Sequence, residues 1–237
     1  MEKLRIMSVF GTRPEAIKMA PLVKELASRE EIESLCCVTA QHREMLDSVM
    51  EVFDLKADCD LDIMTPRQTL SSITSKCLLG MDGAIEKFKP DMILVHGDTS
   101  TTFAGALSAF YHKVPVGHVE AGLRTYDKYS PYPEEMNRKL VTAIADLYFC
   151  PTENNRENLL KEGVTEGLFV TGNTVIDALK TTVRKDYRFT TELLNGLDYS
   201  RKIVLVTCHR RENYGQPMEN IMTALRDIAL QNEDCEL

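Results

Sequence analysis

Nowhere in the 237 residues do roughly 18 uncharged apolar residues run together, so the sequence offers no transmembrane helix. The opening stretch Met1 to Phe10 is too short and too charged for a signal peptide, and a soluble protein that is not exported is expected. A basic excess is missing as well. With 28 Lys and Arg against 36 Asp and Glu, the net charge is -8, which argues against sequence-independent binding to nucleic acid or to an anionic membrane. An anionic ligand would need a local basic pocket. The seven cysteines, at 36, 37, 59, 77, 150, 208 and 235, include no C-x-x-C pair, so neither a disulfide framework nor a zinc knuckle is suggested and a reducing cytoplasm fits best. There is no internal repeat, no low-complexity segment, no Walker loop and no dinucleotide fingerprint.

What is present reads as a packed α/β protein. Hydrophobic residues make up 43% and charged residues 27%, close to globular averages, and the length corresponds to about one and a half domains. Short runs of Val, Ile, Leu and Phe alternate with segments of helical period, the rhythm of a parallel sheet covered by helices on both faces. The pattern predicts strands near 4–10, 34–40, 60–64, 91–96, 115–119, 147–150, 167–171 and 202–207. Leu22, Val23 and Leu26, then Met45, Leu46, Val49 and Met50, then Phe103, Leu107 and Phe110 recur at helical spacing and are expected to cover the sheet. Residues 1–172 read as a first domain, 173–200 as a connector and 201–237 as the start of a second unit. One strand and one helix cannot bury a core of their own, so Ile203, Leu205, Ile221, Leu225 and Ile228 are expected to lack a partner and to promote self-association.

The residues least needed for packing fall just after strands: Gly11-Thr12-Arg13-Pro14-Glu15, Ala40-Gln41-His42-Arg43, His96-Gly97-Asp98-Thr99, Val119-Glu120-Ala121-Gly122 and Cys208-His209-Arg210-Arg211. In an open parallel sheet the carboxyl ends of the strands share one edge, where ligands bind. Backbone N–H groups and Arg13 at the first turn, with Lys18 one helical turn on, suit a phosphate; a plain helix start with a surface arginine is the alternative. Asp98 and Glu120 are either paired carboxylates of a reaction site or, respectively, a helix cap and the partner of a nearby arginine. Glu134 or Glu135 follows a two-proline entry to a helix, with Arg138 on the same face. His96-x-Asp98 and His118-x-Glu120 also admit a metal reading, although no established ligand spacing supports it.

Gly11 to Lys18, Thr39 to Arg43, Val95 to Thr99, Gly117 to Arg124, Pro133 to Arg138, Thr171 to Asp177 and His209 to Asn213, taken in order along the whole chain, resemble the bacterial non-hydrolysing UDP-N-acetylglucosamine 2-epimerases. The resemblance implies a Rossmann-like, doubly wound parallel sheet of the glycosyltransferase B type, here an N-terminal domain plus the start of a second similar one. It implies conversion of UDP-N-acetylglucosamine to UDP-N-acetylmannosamine for cell-envelope polysaccharide, by elimination of UDP to 2-acetamidoglucal and its re-addition. Asp98, Glu120, Glu134 and His209 fall at catalytic positions, Arg13, Lys18, Arg138 and Arg210 at substrate-binding ones, and Gln41 and Arg67 at a regulatory nucleotide-sugar site. No cofactor or metal is required, a homodimer is expected, and a chain stopping early in the second domain is expected to have little or no activity. A glycosyltransferase or hydrolysing epimerase of the same fold, and a non-catalytic nucleotide-sugar-binding piece, are the alternatives.

Overall fold

The computed structural model describes residues 3–40, 43–65, 67–208 and 213–237. Two compact units emerge, Met1–Val183 and Arg184–Leu237.

In the first unit the order is β1 (Leu4–Phe10), α1 (Arg13–Ala27), β2 (Ile32–Val38), α2 (Arg43–Val52), β3 (Cys59–Asp60), α3 (Leu70–Phe88) and β4 (Met92–His96). There follow α4 (Ser100–Tyr111), β5 (Val116–Val119), α5 (Glu134–Ile144), β6 (Leu147–Cys150), α6 (Glu153–Lys161), β7 (Leu168–Val170) and α7 (Val175–Thr182). Each of the seven strands expected in this unit has a counterpart, although β2 lies two residues earlier than 34–40 and β3 overlaps the expected 60–64 only at Asp60. They pair in parallel in the order β3-β2-β1-β4-β5-β6-β7. The order reverses between β1 and β4, and a doubly wound sheet opens a crevice at such a switch point.

Burial is nearly continuous along the central strands, as a sheet covered on both faces requires, and successive residues join opposite cores. Met7, Val9, Leu35, Cys37, Ile93 and Val95 join one core with α3 and α4, while Ile6, Phe10, Cys36, Val38 and Leu94 join the other with α1 and α2. Helix α7, read from the sequence as connector, contributes buried Ala178 to this second core.

The helix faces follow the expected stripes except in α4 and at Met45. Leu46, Val49 and Met50 are buried as expected, whereas Met45 is exposed. In α4 the buried residues are small ones, among them Ala104, Gly105, Ala106, Ser108 and Ala109, and Phe110 is 61% exposed. The reason is distance. A Cβ on Gly105 would stand 3.4 Å from Val95, so this helix lies against the sheet through its smallest side chains; Phe103 still packs half-buried against the core, and Phe110 turns outward.

The second unit holds α8 (Glu192–Asn195), β8 (Lys202–Ile203), α9 (Gln216–Gln231) and β9 (Cys235–Glu236), with β8 and β9 paired in parallel. The strand expected over 202–207 is regular only over its first two residues, because β9 offers it a two-residue ladder and nothing more. Among the described residues of this unit none is buried.

Candidate active site

Each strand of the switch region ends in a turn that lifts a polar side chain onto the rim. After β1, Gly11 passes so close to the buried Thr39–Thr101 hydroxyl pair (2.9 Å) that a Cβ would lie 2.0 Å from Thr39 Oγ1. Helix α1 then starts, and Glu15 in its first turn folds back. Its Oε2 accepts from the N–H groups of Gly11 (3.0 Å) and Thr12 (2.8 Å), and its Oε1 accepts from the hydroxyls of Thr99 (2.7 Å) and Thr102 (3.2 Å). Burial raises the Glu15 carboxyl above its ordinary value against the opposing pull of these hydrogen bonds. The buried carboxylate thereby ties the turn after β1 to the turn after β4. This corrects one expectation: the N–H groups of Gly11 and Thr12 are spent on Glu15 and do not face outward for a phosphate. The Thr-x-x-Glu spacing of a capping box was the signal that identifies Glu15.

After β4, Gly97 turns with φ +69° and Asp98 stands on the rim. Thr99, not Asp98, caps α4, its hydroxyl accepting from the Thr102 N–H at 3.2 Å. Asp98 Oδ2 instead accepts from Nε (3.0 Å) and Nη2 (2.6 Å) of Arg138, and the Asn137 amide donates to the Asp98 carbonyl at 2.8 Å. Arg138 reaches Glu135 Oε2 as well, at 3.1 Å.

After β5, Glu120 adopts the left-handed conformation, φ +63°, an unfavourable one for a side chain with a Cβ and of the kind found where function dictates backbone geometry. Its Oε1 accepts from Lys18 Nζ at 2.5 Å and from the Asn173 amide at 3.1 Å. The partner is thus a lysine from α1, not the neighbouring arginine. His96 Nε2 stands 3.6 Å from the other oxygen, Oε2.

The two glutamates at the start of α5 separate cleanly. Glu135 is buried and accepts from the N–H groups of Thr125 (3.1 Å) and Tyr126 (3.0 Å) and from Arg138. Burial alone would raise its carboxyl, yet these donors outweigh it and hold the group below its ordinary value. It fixes the loop leading to α5. Glu134 has a buried Oε2 without a hydrogen-bond partner among the described residues.

Of the remaining sequence-derived candidates, Arg13 is exposed just after β1, and Arg67 is exposed with φ +57°. Gln41, His209 and Arg210 lie outside the described residues. Arg13, Asp98 and Glu120, which follow three adjacent parallel strands, share the carboxyl edge of one sheet. Among the described residues no three His, Cys, Asp or Glu side chains are arranged to hold a metal ion, and no helix is long and apolar enough to cross a membrane.

The family model described as UDP-N-acetylglucosamine 2-epimerase matches residues 24–237. The chain belongs to the UDP-N-acetylglucosamine 2-epimerase family. It is 57% identical over 238 residues to UDP-N-acetylglucosamine 2-epimerase of Bacillus subtilis, covering 100% of this chain and 62% of that protein. Among solved structures, S. aureus MnaA in a co-structure with UDP matches with 55% identity and a TM-score of 0.87, over 99% of this chain and 61% of that one. UDP-GlcNAc 2-epimerase from Neisseria meningitidis bound to UDP-GlcNAc matches with 47% identity and a TM-score of 0.88, over 98% and 64%. The chain therefore spans about 62% of the length of curated relatives that it matches.

Proposed function

We propose that the protein acts as a non-hydrolysing epimerase that interconverts UDP-N-acetylglucosamine and UDP-N-acetylmannosamine for cell-envelope polysaccharide, in the cytoplasm and as a homodimer. The observation that carries the reading is the rim of carboxylates, each held differently. Asp98 is clamped by Arg138, Glu120 is tethered through one oxygen by Lys18 and Asn173, and Glu134 has a buried oxygen without a hydrogen-bond partner among the described residues.

The chemistry calls for such a set. The hydrogen on carbon 2 of the sugar is poorly acidic, with no adjacent carbonyl. Loss of that proton together with cleavage of the bond from carbon 1 to UDP gives 2-acetamidoglucal. Protonation of carbon 2 on the opposite face and return of UDP to carbon 1 complete the inversion, with no net gain or loss of atoms. Two faces need separate proton acceptors and donors, and carboxylates in unlike surroundings can divide those roles. Asp98, Glu120 and Glu134 are the groups proposed for them, together with His209. Arg13, Arg210 and the ammonium of Lys18 are proposed to stabilise the charge that gathers on the departing diphosphate, and Arg138 to hold Asp98 toward the substrate. Gln41 and Arg67 are proposed for a second, regulatory nucleotide-sugar site.

Incubation with UDP-N-acetylglucosamine, followed by NMR, tests this. The epimer with solvent deuterium at carbon 2 supports it; free sugar with UDP points to hydrolysis, and transfer to an added acceptor to a glycosyltransferase. Saturable binding with unchanged substrate points to a nucleotide-sugar-binding role, a reading favoured by the absence of buried residues among those described in the second unit. In a full-length relative, the substitutions equivalent to Asp98→Asn or Glu120→Gln should lower turnover by at least about a hundredfold; near-normal rates for both would leave them as ion-pair partners.

A further inference from the structure

We propose that His96 is a positioning residue for Glu120, its Nε2–H directed at the carboxylate oxygen that Lys18 and Asn173 leave free. The inference rests on the epimerase reading for its consequence in catalysis, but not for the contact itself.

His96 closes β4 and is 3% exposed. Neither ring nitrogen has a hydrogen-bond partner among the described residues. A buried polar group left without a partner is costly and uncommon, so one in a native site calls for an explanation. Glu120 Oε2 stands 3.6 Å from Nε2, just beyond hydrogen-bond length. Glu120 itself is half-anchored: Oε1 takes both available donors, Lys18 Nζ and the Asn173 amide. A carboxylate fixed at one oxygen can swing its other about that anchor, and the small swing needed to close the gap brings Oε2 onto His96.

The charge state suits this task. The charged and titratable groups that face His96 are Lys18 from α1, His118 from β5, Asp98 from the turn after β4 and Glu120 from the turn after β5. Burial above all, then Lys18 and His118, push the imidazole down to about 3. It is therefore neutral at neutral pH, and a neutral ring carries one N–H and one bare nitrogen. A neutral donor orients Glu120 without adding a second cation beside the one Lys18 already supplies. The neighbouring His118 is spoken for, its Nε2 lying 2.7 Å from the Gly97 carbonyl.

Nitrogen-15 NMR of the chain labelled at histidine tests the contact directly. The expected result is His96 in the Nε2–H form, with its Nε2 signal moving in Glu120→Gln. An Nδ1–H ring, or a signal indifferent to Glu120→Gln, overturns the proposal. Kinetics on UDP-N-acetylglucosamine test the consequence. His96→Phe fills the space without a donor and should lower kcat at least tenfold while KM stays within about twofold. His96→Gln places an amide N–H where Nε2 was and should restore kcat to within about threefold. Equal losses in both variants, or a loss confined to thermal stability, would make His96 a packing residue and overturn the proposal. Release of free sugar and UDP, or transfer to an acceptor, would sink the epimerase reading without touching the contact; a chain with little or no turnover, as expected above, leaves the NMR result to decide the contact by itself.

Discussion

The two units are built from the same strand–helix grammar, and only one of them has an interior. In Met1–Val183, seven parallel strands and their helices bury two cores, one on each face of the sheet. In Arg184–Leu237, β8 and α9 carry equally apolar side chains, yet Leu205 is 93% exposed and no described residue is buried. Apolar pattern makes an element amphipathic; burial needs a neighbour for each face. The site follows the same division. Glu15 and Glu120 are each held by groups from several elements of the first unit, Glu15 from the turns after β1 and β4 and Glu120 from α1 and the segment after β7, while Asp98 is held from α5.

The sharpest test of the contrast lies in the core. Leu46 is fully buried between α2 and the sheet, so Leu46→Ala should destabilise the first unit by about 2–5 kcal/mol in urea unfolding. A smaller loss would mean that this core is loosely packed and that the two units differ less than their burial implies.

Two glycines offer a second comparison. Gly122 (φ +83°) and Gly215 (φ +85°) both sit where a side chain is strained, but an added Cβ at Gly122 would lie 2.2 Å from the Asn155 carbonyl oxygen, whereas at Gly215 it meets nothing within 4 Å. Gly122→Ala pays for both strain and collision, and should cost roughly 2 kcal/mol more than Gly215→Ala. Equal costs would place the whole effect in backbone conformation.

A third prediction uses pH. Burial lowers His96 to about 3 and His118 to about 4 from 6.5. Their folded values lie below the unfolded one, so the unfolded chain takes up protons that the fold refuses. Stability from these groups is complete above pH 6.5 and falls as pH drops toward 4, by about 1.4 kcal/mol per pH unit for each histidine. Glu15 works with the opposite sign: its raised value adds stability in acid, lost as pH rises through it. Urea unfolding of the first unit between pH 7 and 5 should show the slope, and His118→Gln should roughly halve it. An unchanged slope would remove His118 from the account.

Much of this was legible in the sequence because much of it is local. All seven strands of the first sheet follow from alternating apolar runs, and the placement of Asp98, Glu120 and Arg13 on one edge follows from parallel connectivity alone. What was not legible depends on contacts across the sheet. Nothing near Glu120 in the chain announces Lys18, 102 residues earlier, or Asn173, 53 residues later. Which of Glu134 and Glu135 turns inward is decided by the N–H groups of Thr125 and Tyr126, not by the helix start. At α4 the expected stripe placed Phe110 inward because large apolar residues at helical spacing look like a core face, while the face that meets the sheet closely is built of Ala, Gly, Ser and Thr.

The smallest effect on stability is expected at Leu205. It belongs to the run Ile203-Val204-Leu205-Val206, in which all four side chains are exposed. Removing an exposed side chain withdraws no packing, so Leu205→Ser should leave unfolding within about 0.5 kcal/mol of the original, against the large loss expected from the same residue type at Leu46. Its effect should appear instead in association. A contiguous apolar surface in water favours contact with another such surface, and the 237-residue chain should sediment above monomer weight at micromolar concentration. Leu205→Ser should shift it toward monomer. A destabilisation comparable with that of Leu46→Ala would show that Leu205 is packed in solution after all, and a strictly monomeric unsubstituted chain would show that the exposed run does not associate.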